Sequence, residues 1–120
     1  MAHLKIKLQL YCGEEIAMGP GKADLLEAIA NAGSISAAAR SMGMSYRRAW
    51  LLVDTMNRCF REALVETRPG GGKRAGAGLT PAGQAALSAY RALTAQLTER
   101  VEGDACRDLE NALRAAPQES

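Results

Sequence analysis

The sequence has few of the residues from which metal sites and disulfide frameworks are built. Its 120 residues include one histidine, His3, and three cysteines, Cys12, Cys59 and Cys106, which are far apart and lack CxxC spacing. A structural zinc site needs about four closely spaced Cys or His ligands, so we expect no metal and no other cofactor. An odd number of scattered cysteines does not make a disulfide framework, which indicates a reducing compartment. We therefore expect a cytoplasmic protein.

Long apolar runs, aromatic residues and catalytic constellations are also scarce. The opening residues MAHLKIKLQL alternate between apolar and polar types, which is not the pattern of a signal peptide. No apolar run approaches the roughly 20 residues of a membrane-spanning helix. With only 4% aromatic residues, the core must consist mostly of Leu, Ile, Val, Met and Ala. The chain has no carboxylate pair or Ser/His spacing that could form an active site, so we expect neither membrane insertion nor enzymatic activity.

The positive charge is concentrated in one segment. The whole chain has a formal net charge of +2, but residues 40–74 contain eight Lys/Arg and only three Asp/Glu, a net charge of +5. A local excess of this kind is expected where a domain meets a polyanion such as DNA. A solvated basic face without a partner would have the same composition, so charge alone leaves both interpretations open.

The hydrophobic pattern predicts a mainly α fold with a small β component. Residues 4–12 alternate as in a strand with one wet face. Helical spacing then runs from Lys22 to Gly33, a residue suited to a helix C-cap. A short helix over residues 37–42 follows, and a third helix begins at Ser45 and runs to about residue 58.

Residues 35–58 meet the steric requirements of a helix-turn-helix unit. Small residues at Ala38–Ala39 would let the second helix cross closely, and Gly43 tolerates the left-handed conformation that the turn requires. Ala49 and Leu52 supply the small and large apolar residues of the inner face of the second helix. An ordinary helical hairpin is the alternative interpretation.

The second helix of such a unit enters the DNA major groove with its N-terminal end first. Ser45 could bond a phosphate, Tyr46 could pack on the backbone or a thymine methyl, and Arg47 or Arg48 could grip guanine. The sequence does not say which arginine would contact a base. We interpret Trp50 as a packing residue that closes the side of the core. The predicted DNA-binding residues are Ser36, Arg40, Ser45, Tyr46, Arg47, Arg48, Thr55, Arg58, Lys73 and Arg74.

A glycine-rich segment follows the helix-turn-helix pattern. Residues 64–79 are interpreted as a two-stranded wing, with Lys73 and Arg74 at its tip against the DNA backbone or minor groove. A mobile surface loop is the alternative. The stretch GGGKR lacks the glycine spacing of a P-loop, so we expect no nucleotide site there. Residues 1–80 thus form the predicted winged helix-turn-helix DNA-binding domain.

Residues 81–116 are predicted to form one long dimerisation helix, with Gly103 as the position where it could be interrupted. Thr80 and Pro81 are a cap and a first helical residue, respectively. An apolar stripe of this length must be buried against something, and a second copy of the chain is the simplest partner. Folding back onto its own domain is the alternative. The predicted dimerisation residues are Leu87, Tyr90, Leu93, Leu97, Val101, Leu109 and Leu113.

Three stretches resemble the DNA-binding domain of ModE-type, molybdate-responsive transcription regulators: LLEAIANAGSISAAARSMGMSYRRAWLLVDTMN, LVETRPGGG and GAGLTPAG. The resemblance covers roughly residues 4–95. It implies a winged helix-turn-helix related to that of LysR-type regulators, acting as a homodimer on palindromic operators. It also implies that Ser45–Trp50 begins the recognition helix and that Pro69–Gly78 is the wing.

Full-length members of that family carry C-terminal oxyanion-binding modules, whereas this sequence stops at Ser120. We therefore expect a stand-alone form, for which the resemblance gives no support for molybdate sensing and leaves any effector unknown. The expected function is sequence-specific transcription regulation by a homodimer on double-stranded DNA, through a recognition helix over residues 45–58 and the basic wing. The alternative is a protein–protein interaction module on a winged-helix shell that has lost DNA binding.

Overall fold

The computed structural model describes residues 3–68 and 76–119. The described residues form, in order, β1 (Leu10–Cys12), β2 (Glu15–Met18), α1 (Pro20–Ala32), α2 (Ile35–Ser41), α3 (Tyr46–Cys59), β3 (Val65–Arg68), β4 (Gly76–Leu79), α4 (Pro81–Val101) and α5 (Asp104–Ala112). The strands pair as two antiparallel hairpins, β1 with β2 and β3 with β4. The predicted mainly α winged helix-turn-helix fold is therefore confirmed.

The hydrophobic core lies where α1, α2 and α3 meet. From α1, Leu25, Leu26 and Ile29 are fully buried, and from α3, Val53 and Met56 are at most 5% exposed. These residues recur at spacings of three and four, so each helix turns one apolar stripe inward. Burying one such side chain is worth about 1.5–3 kcal/mol. The inward stripe of α3 fixes its rotation, which leaves its opposite face toward solvent.

Caps and one glycine turn set the helix-turn-helix geometry. The Ser34 hydroxyl accepts a hydrogen bond from the Ala37 N–H at 3.0 Å, so α2 begins at Ile35, two residues before the predicted start. Gly43 has φ 67°, the left-handed conformation that the sequence predicted for the turn. Residues with a Cβ are disfavoured there, so a glycine permits the tight connection between α2 and α3.

The N-terminal strand is shorter than the predicted range of residues 4–12. Of that range, Leu10–Cys12 pairs with β2, and the register shifts between Leu10 and Tyr11. The alternating pattern before it still has a packing role, since Leu8 packs against the core. The hydroxyl of Tyr90 donates to the Leu8 carbonyl at 2.7 Å, which gives that backbone group a partner in place of a strand.

The wing packs on the helix-turn-helix unit through close backbone contacts. β3 and β4 pair in register from Val65 opposite Leu79 to Arg68 opposite Gly76. The Ala77 N–H donates to the Gly33 carbonyl at 2.8 Å, which ties β4 to the end of α1. A Cβ at Gly76 would collide with the same carbonyl oxygen, so this approach requires glycine.

The long helix predicted over residues 81–116 is divided into two at Gly103, the position where an interruption was expected. α4 ends at Val101, and α5 begins at Asp104 after a break at Glu102 and Gly103. A glycine inside a helix costs about 1 kcal/mol relative to alanine, which favours the interruption at this position. The molecule measures 56 × 32 × 27 Å with a radius of gyration of 17.8 Å, against about 14 Å for a compact chain of this length. The end of α4 and α5 therefore extend away from the core.

Candidate nucleic-acid interface

The first turn of α3 lies at the surface. The Ser45 hydroxyl oxygen accepts a hydrogen bond from the Arg48 N–H at 3.1 Å and so caps the helix, as the sequence predicted. That contact uses an acceptor position of the hydroxyl and leaves its own proton able to bond another acceptor, such as a phosphate oxygen. The helix dipole at this end also favours an anion.

Arg47 and Arg48 are both exposed in the first turn of α3. Among the ion pairs between described residues, none involves either arginine. The side-chain hydrogen bonds between described residues also leave both guanidinium groups out, so each has donors to offer a partner outside the chain. The two arginines lie beside the Ser45 cap, so donors and positive charge are concentrated at one end of the helix.

Lys22 is a cation on α1, beside α3, that sequence reasoning missed. It lies in the first turn of α1, where partial burial lowers the pKa of its amino group below the usual value, and the nearby charge of Arg48 lowers it further. Cys59 and Glu15 act in the opposite direction. The position of Lys22 at the start of the helix before the helix-turn-helix unit could have indicated it. Lys22 and Arg48 together extend the positive surface from α3 to α1.

Arg58, unlike Arg47 and Arg48, forms ion pairs with other described residues. Its guanidinium forms ion pairs with Asp54 at 3.0 Å and with Glu15 at 3.2 Å. The hydrogen bonds to Asp54 and then to Glu15 raise the pKa of Arg58 above its usual value. These ion pairs are at the surface and compensate part of its charge, so the phosphate contact of Arg58 stays a prediction. The Glu15 contact joins residues 43 positions apart, which no local pattern reveals.

Ser36 and Arg40 form a second polar pair, on the exposed side of α2. Arg40 donates to the Ser36 hydroxyl oxygen at 3.0 Å, one helical turn away. The pair uses one guanidinium donor and leaves the others toward solvent. Thr55 lies farther along α3 and donates its hydroxyl proton to the Leu51 carbonyl at 3.0 Å. Thr55 therefore already uses its hydroxyl proton within α3.

Trp50 lies at the surface, so the prediction that it closes the core is wrong. Its exposed fraction is 46%, and those of its neighbours Tyr46 and Leu51 are 56% and 47%. The inward stripe of α3 is already supplied by Ala49 and Val53. Because successive helical residues turn by about 100°, Trp50 rotates off that stripe. Tyr46, Arg47, Trp50 and Leu51 line one shallow surface depression.

The wing strands lie next to α3. Asn57 near the end of α3 bonds the backbone of Val65 at the start of β3. Arg68 is exposed at the end of β3 and was not among the predicted residues, although its type and position on the wing could have indicated it. The two predicted tip residues, Lys73 and Arg74, fall outside the residues that the structure describes.

The predicted dimerisation residues divide into two groups. Tyr90 is 8% exposed and lies in the core of its own chain, so its assignment to the dimer contact is corrected. Leu87 is partly buried against that core. Leu97 is half-buried. The other four have apolar surface exposed to solvent, by 46% at Leu93, 38% at Val101, 69% at Leu109 and 63% at Leu113.

The described part of the chain contains no group of three or more His, Cys, Asp or Glu side chains arranged to hold a metal ion. None of its helices combines the length and apolar character needed to cross a membrane.

The fold and the cationic end of α3 define the class: a winged helix-turn-helix domain of the kind found in DNA-binding transcription regulators. Residues 22–84 match the family described as bacterial regulatory helix-turn-helix protein, lysR family. The chain belongs to this family. The match runs from the first turn of α1 to the first turn of α4 and so contains the whole helix-turn-helix unit.

Curated relatives extend the comparison. The chain is 44% identical over 82 residues to the molybdenum-pterin-binding protein MopA of Rhodobacter capsulatus, covering 68% of this chain and 31% of that protein. It is 44% identical over 69 residues to the molybdenum transport protein ModE of Herbaspirillum seropedicae, covering 58% and 26%. It is 36% identical over 96 residues to the DNA-binding transcriptional dual regulator ModE of Escherichia coli, covering 80% and 36%.

These matches confirm the resemblance to ModE-type regulators. The names of the relatives describe regulation and molybdenum binding or transport, not catalysis, which agrees with the expectation that the chain is not an enzyme. The chain spans about a third of the length of these relatives.

Proposed function

We propose that the chain regulates transcription by binding a palindromic operator as a homodimer, with α3 in the major groove and the β3–β4 wing against the flanking DNA. One observation carries the proposal. Arg47 and Arg48 are exposed side by side at the N-terminal end of α3, and no ion pair between described residues engages either. A helix that enters the groove N-terminus first would bring these two side chains to the bases.

The arginines and hydroxyl groups of α3 and its cap would each contact a different part of the DNA. An arginine can donate two parallel hydrogen bonds to O6 and N7 of guanine, worth about 1–3 kcal/mol of discrimination. The other arginine would hold a phosphate and so fix the register of the helix. Ser45, which caps α3 through its oxygen, would donate its hydroxyl proton to a phosphate oxygen. Thr55, two turns farther along, would approach the DNA through its hydroxyl oxygen.

Phosphate contacts on either side of α3 would add affinity without sequence preference. The Ser36–Arg40 pair lies on α2, the helix that crosses the backbone in helix-turn-helix complexes. Lys22 on α1, the helix that packs beside α2 and α3, would add a further phosphate contact. For the wing tip, Lys73 and Arg74 are proposed on their sequence position alone. Together these cations would make binding fall steeply with salt.

Residues 93–113, which comprise the second half of α4, α5 and the residues between and just after them, are called the C-terminal arm below. Their exposed apolar surface supports the homodimer. Leu109 in α5 and Leu113 directly after it are both more than 60% exposed. Leu93 and Val101 extend the same kind of surface along α4. Pairing with a second arm about a two-fold axis would cover these side chains. The two α3 helices would then have to lie about 34 Å apart, one turn of DNA, to bind a palindrome.

Selection of bound duplexes from a random DNA pool tests the proposal. We expect an enriched palindrome whose half-sites are centred about 10 base pairs apart, with a guanine in each half. The double variant Arg47→Ala/Arg48→Ala should enrich no sequence. The matched control is Arg61→Ala, which removes an exposed arginine just after α3. If the double variant enriched the same palindrome as the unchanged chain, the assignment of α3 as the recognition helix would be wrong.

A further inference from the structure

Three large side chains of α3 present apolar surface to solvent beside the arginines. Tyr46, Trp50 and Leu51 are each about half exposed, at 56%, 46% and 47%. They line one depression together with Arg47. Contiguous apolar surface of this kind on a protein marks an interaction site more often than a random feature. The depression lies on the face of α3 that the proposed function turns toward DNA.

The arrangement of these side chains follows from helical geometry. Tyr46 and Trp50 are four residues apart, and so are Arg47 and Leu51, so each pair lies on one row along the helix. Side chains on a helix lean toward its N-terminus, which brings Trp50 and Leu51 back toward the first turn. The apolar surface and the Arg47 guanidinium therefore occupy one continuous patch. Tyr46, Trp50 and Leu51 are called the apolar patch below.

The floor of the DNA major groove has one strongly apolar feature, the C5 methyl group of thymine. A patch that enters the groove next to a cation can bury that methyl group while the arginine bonds a neighbouring guanine. Three residues of helix rise about 4.5 Å, and adjacent base pairs are about 3.4 Å apart, so the patch lies one or two base pairs from the base that Arg47 meets.

We infer that the apolar patch is a second specificity element, which recognises thymine methyl groups one or two base pairs from the guanine bound by the arginines. The inference rests on the proposed function, since it needs α3 in the major groove. Positive charge at Arg47 and Arg48 argues for DNA as the occupant, because an anionic duplex matches a patch bordered by two exposed cations. Trp50 and Leu51 contribute most, since Tyr46 can also turn its hydroxyl toward the backbone.

Replacing thymine by deoxyuridine tests the inference directly, because it removes the methyl group and keeps the base-pairing edge. Each thymine of the selected operator is replaced in turn, and the affinity of the chain is measured by fluorescence anisotropy. At one or two positions in each half-site we expect about a threefold to fivefold loss, the value of one buried methyl group. At the other thymines no change is expected.

Variants then assign the lost contact to the patch. In Trp50→Ala and in Leu51→Ala, operator affinity should fall, and deoxyuridine at the sensitive positions should cause little further loss, because both changes remove one contact. Trp50→Phe should restore part of the methyl sensitivity. The control is Tyr11→Ala, a truncation of an equally exposed aromatic residue on β1, which is 57% exposed. That variant should keep the full sensitivity to deoxyuridine.

The outcomes separate this inference from the proposed function. An operator that depends on Arg47 and Arg48 but binds equally well with deoxyuridine at every position would overturn the inference and leave the proposed function standing. Unchanged operator affinity in Trp50→Ala would also overturn it and assign the patch to a protein partner. Failure to select any operator would overturn both.

Discussion

The side chain of Asn57 and the backbone of Val65 form a reciprocal pair of hydrogen bonds. The Asn57 amide donates to the Val65 carbonyl at 3.1 Å, and its oxygen accepts from the Val65 N–H at 3.2 Å. The same oxygen accepts from the Leu64 N–H at 2.8 Å. A single side chain therefore fixes the start of β3 against the end of α3, and so sets the position of the wing relative to α3.

Replacing Asn57 by alanine should destabilise the fold. Three partly buried hydrogen bonds are lost, each worth about 0.5–1.5 kcal/mol, so we expect the free energy of unfolding to fall by about 2 kcal/mol. Urea denaturation measures the change. The matched control is Asn31→Ala at an exposed position in the last turn of α1, where alanine should be neutral or slightly stabilising. Equal midpoints for the two variants would show that the Asn57 contacts do not hold the wing.

The Tyr90 hydroxyl should make stability depend on alkaline pH. Burial raises the pKa of Tyr90 above its usual value, so the folded state favours the neutral phenol. Its contribution is complete below the unfolded pKa of about 10 and is lost as pH rises through the higher folded pKa. Tyr90→Phe removes the bond to the Leu8 carbonyl, so we expect a loss of about 1 kcal/mol at neutral pH.

Urea denaturation between pH 7 and pH 11 compares this variant with the unchanged chain. The difference in stability should shrink above pH 10, because the unchanged chain loses stability there and Tyr90→Phe does not. Tyr11→Phe is the control, since it makes the same substitution at a tyrosine that is 57% exposed. A constant difference across the whole range would contradict the burial of an ionisable Tyr90 hydroxyl.

A charge on the exposed face of α5 should prevent dimerisation if the C-terminal arm forms the interface. In Leu109→Glu the carboxylate would have to be buried without a partner, which is costly. We expect sedimentation equilibrium to give a monomer with the helical circular dichroism of the unchanged chain. Asn111→Glu adds the same charge about 200° around the helix and should remain a dimer. A dimer of unchanged affinity in Leu109→Glu would place the interface elsewhere.

Arg58→Ala should have little effect on operator affinity. Its guanidinium is already paired with Glu15 and Asp54, which compensate part of its charge, so its predicted phosphate contact would add little affinity. We expect a change within about twofold by fluorescence anisotropy, whereas loss of one phosphate contact in Arg40→Ala should lower affinity more and reduce the slope of log K against log salt by about 0.9. A large loss in Arg58→Ala would show that its phosphate contact is strong and that its ion pairs open on binding.

Local features of the sequence predicted the local structure well. Ser45, Thr80 and Gly33 cap their helices as expected, because caps depend on residues within one turn of chain. The turn at Gly43 and the pairing of the wing strands were also evident from spacing and composition. These elements define the helix-turn-helix unit, so the fold class could be derived before any contact was known.

The residues that the sequence did not place correctly have a property in common. The Arg58–Glu15 pair joins two distant segments, and the sequence contains no sign of it. Trp50 lies at the edge of the buried stripe of α3, where a period of 3.6 residues does not tell which apolar residues face inward. Tyr90 has the spacing of the exposed stripe, yet the N-terminal segment covers it. Each of these positions is decided by tertiary packing between elements, not by local pattern.

The most direct test of the account is the affinity of Arg47→Ala/Arg48→Ala for the selected operator over a range of salt concentrations, with Arg61→Ala measured alongside. We predict that the double variant keeps the fold, loses preference for the operator over unrelated duplex, and shows a shallower dependence of log K on log salt. A double variant that still prefers the operator as strongly as the unchanged chain, with the same salt slope, would contradict the claim that these arginines recognise DNA.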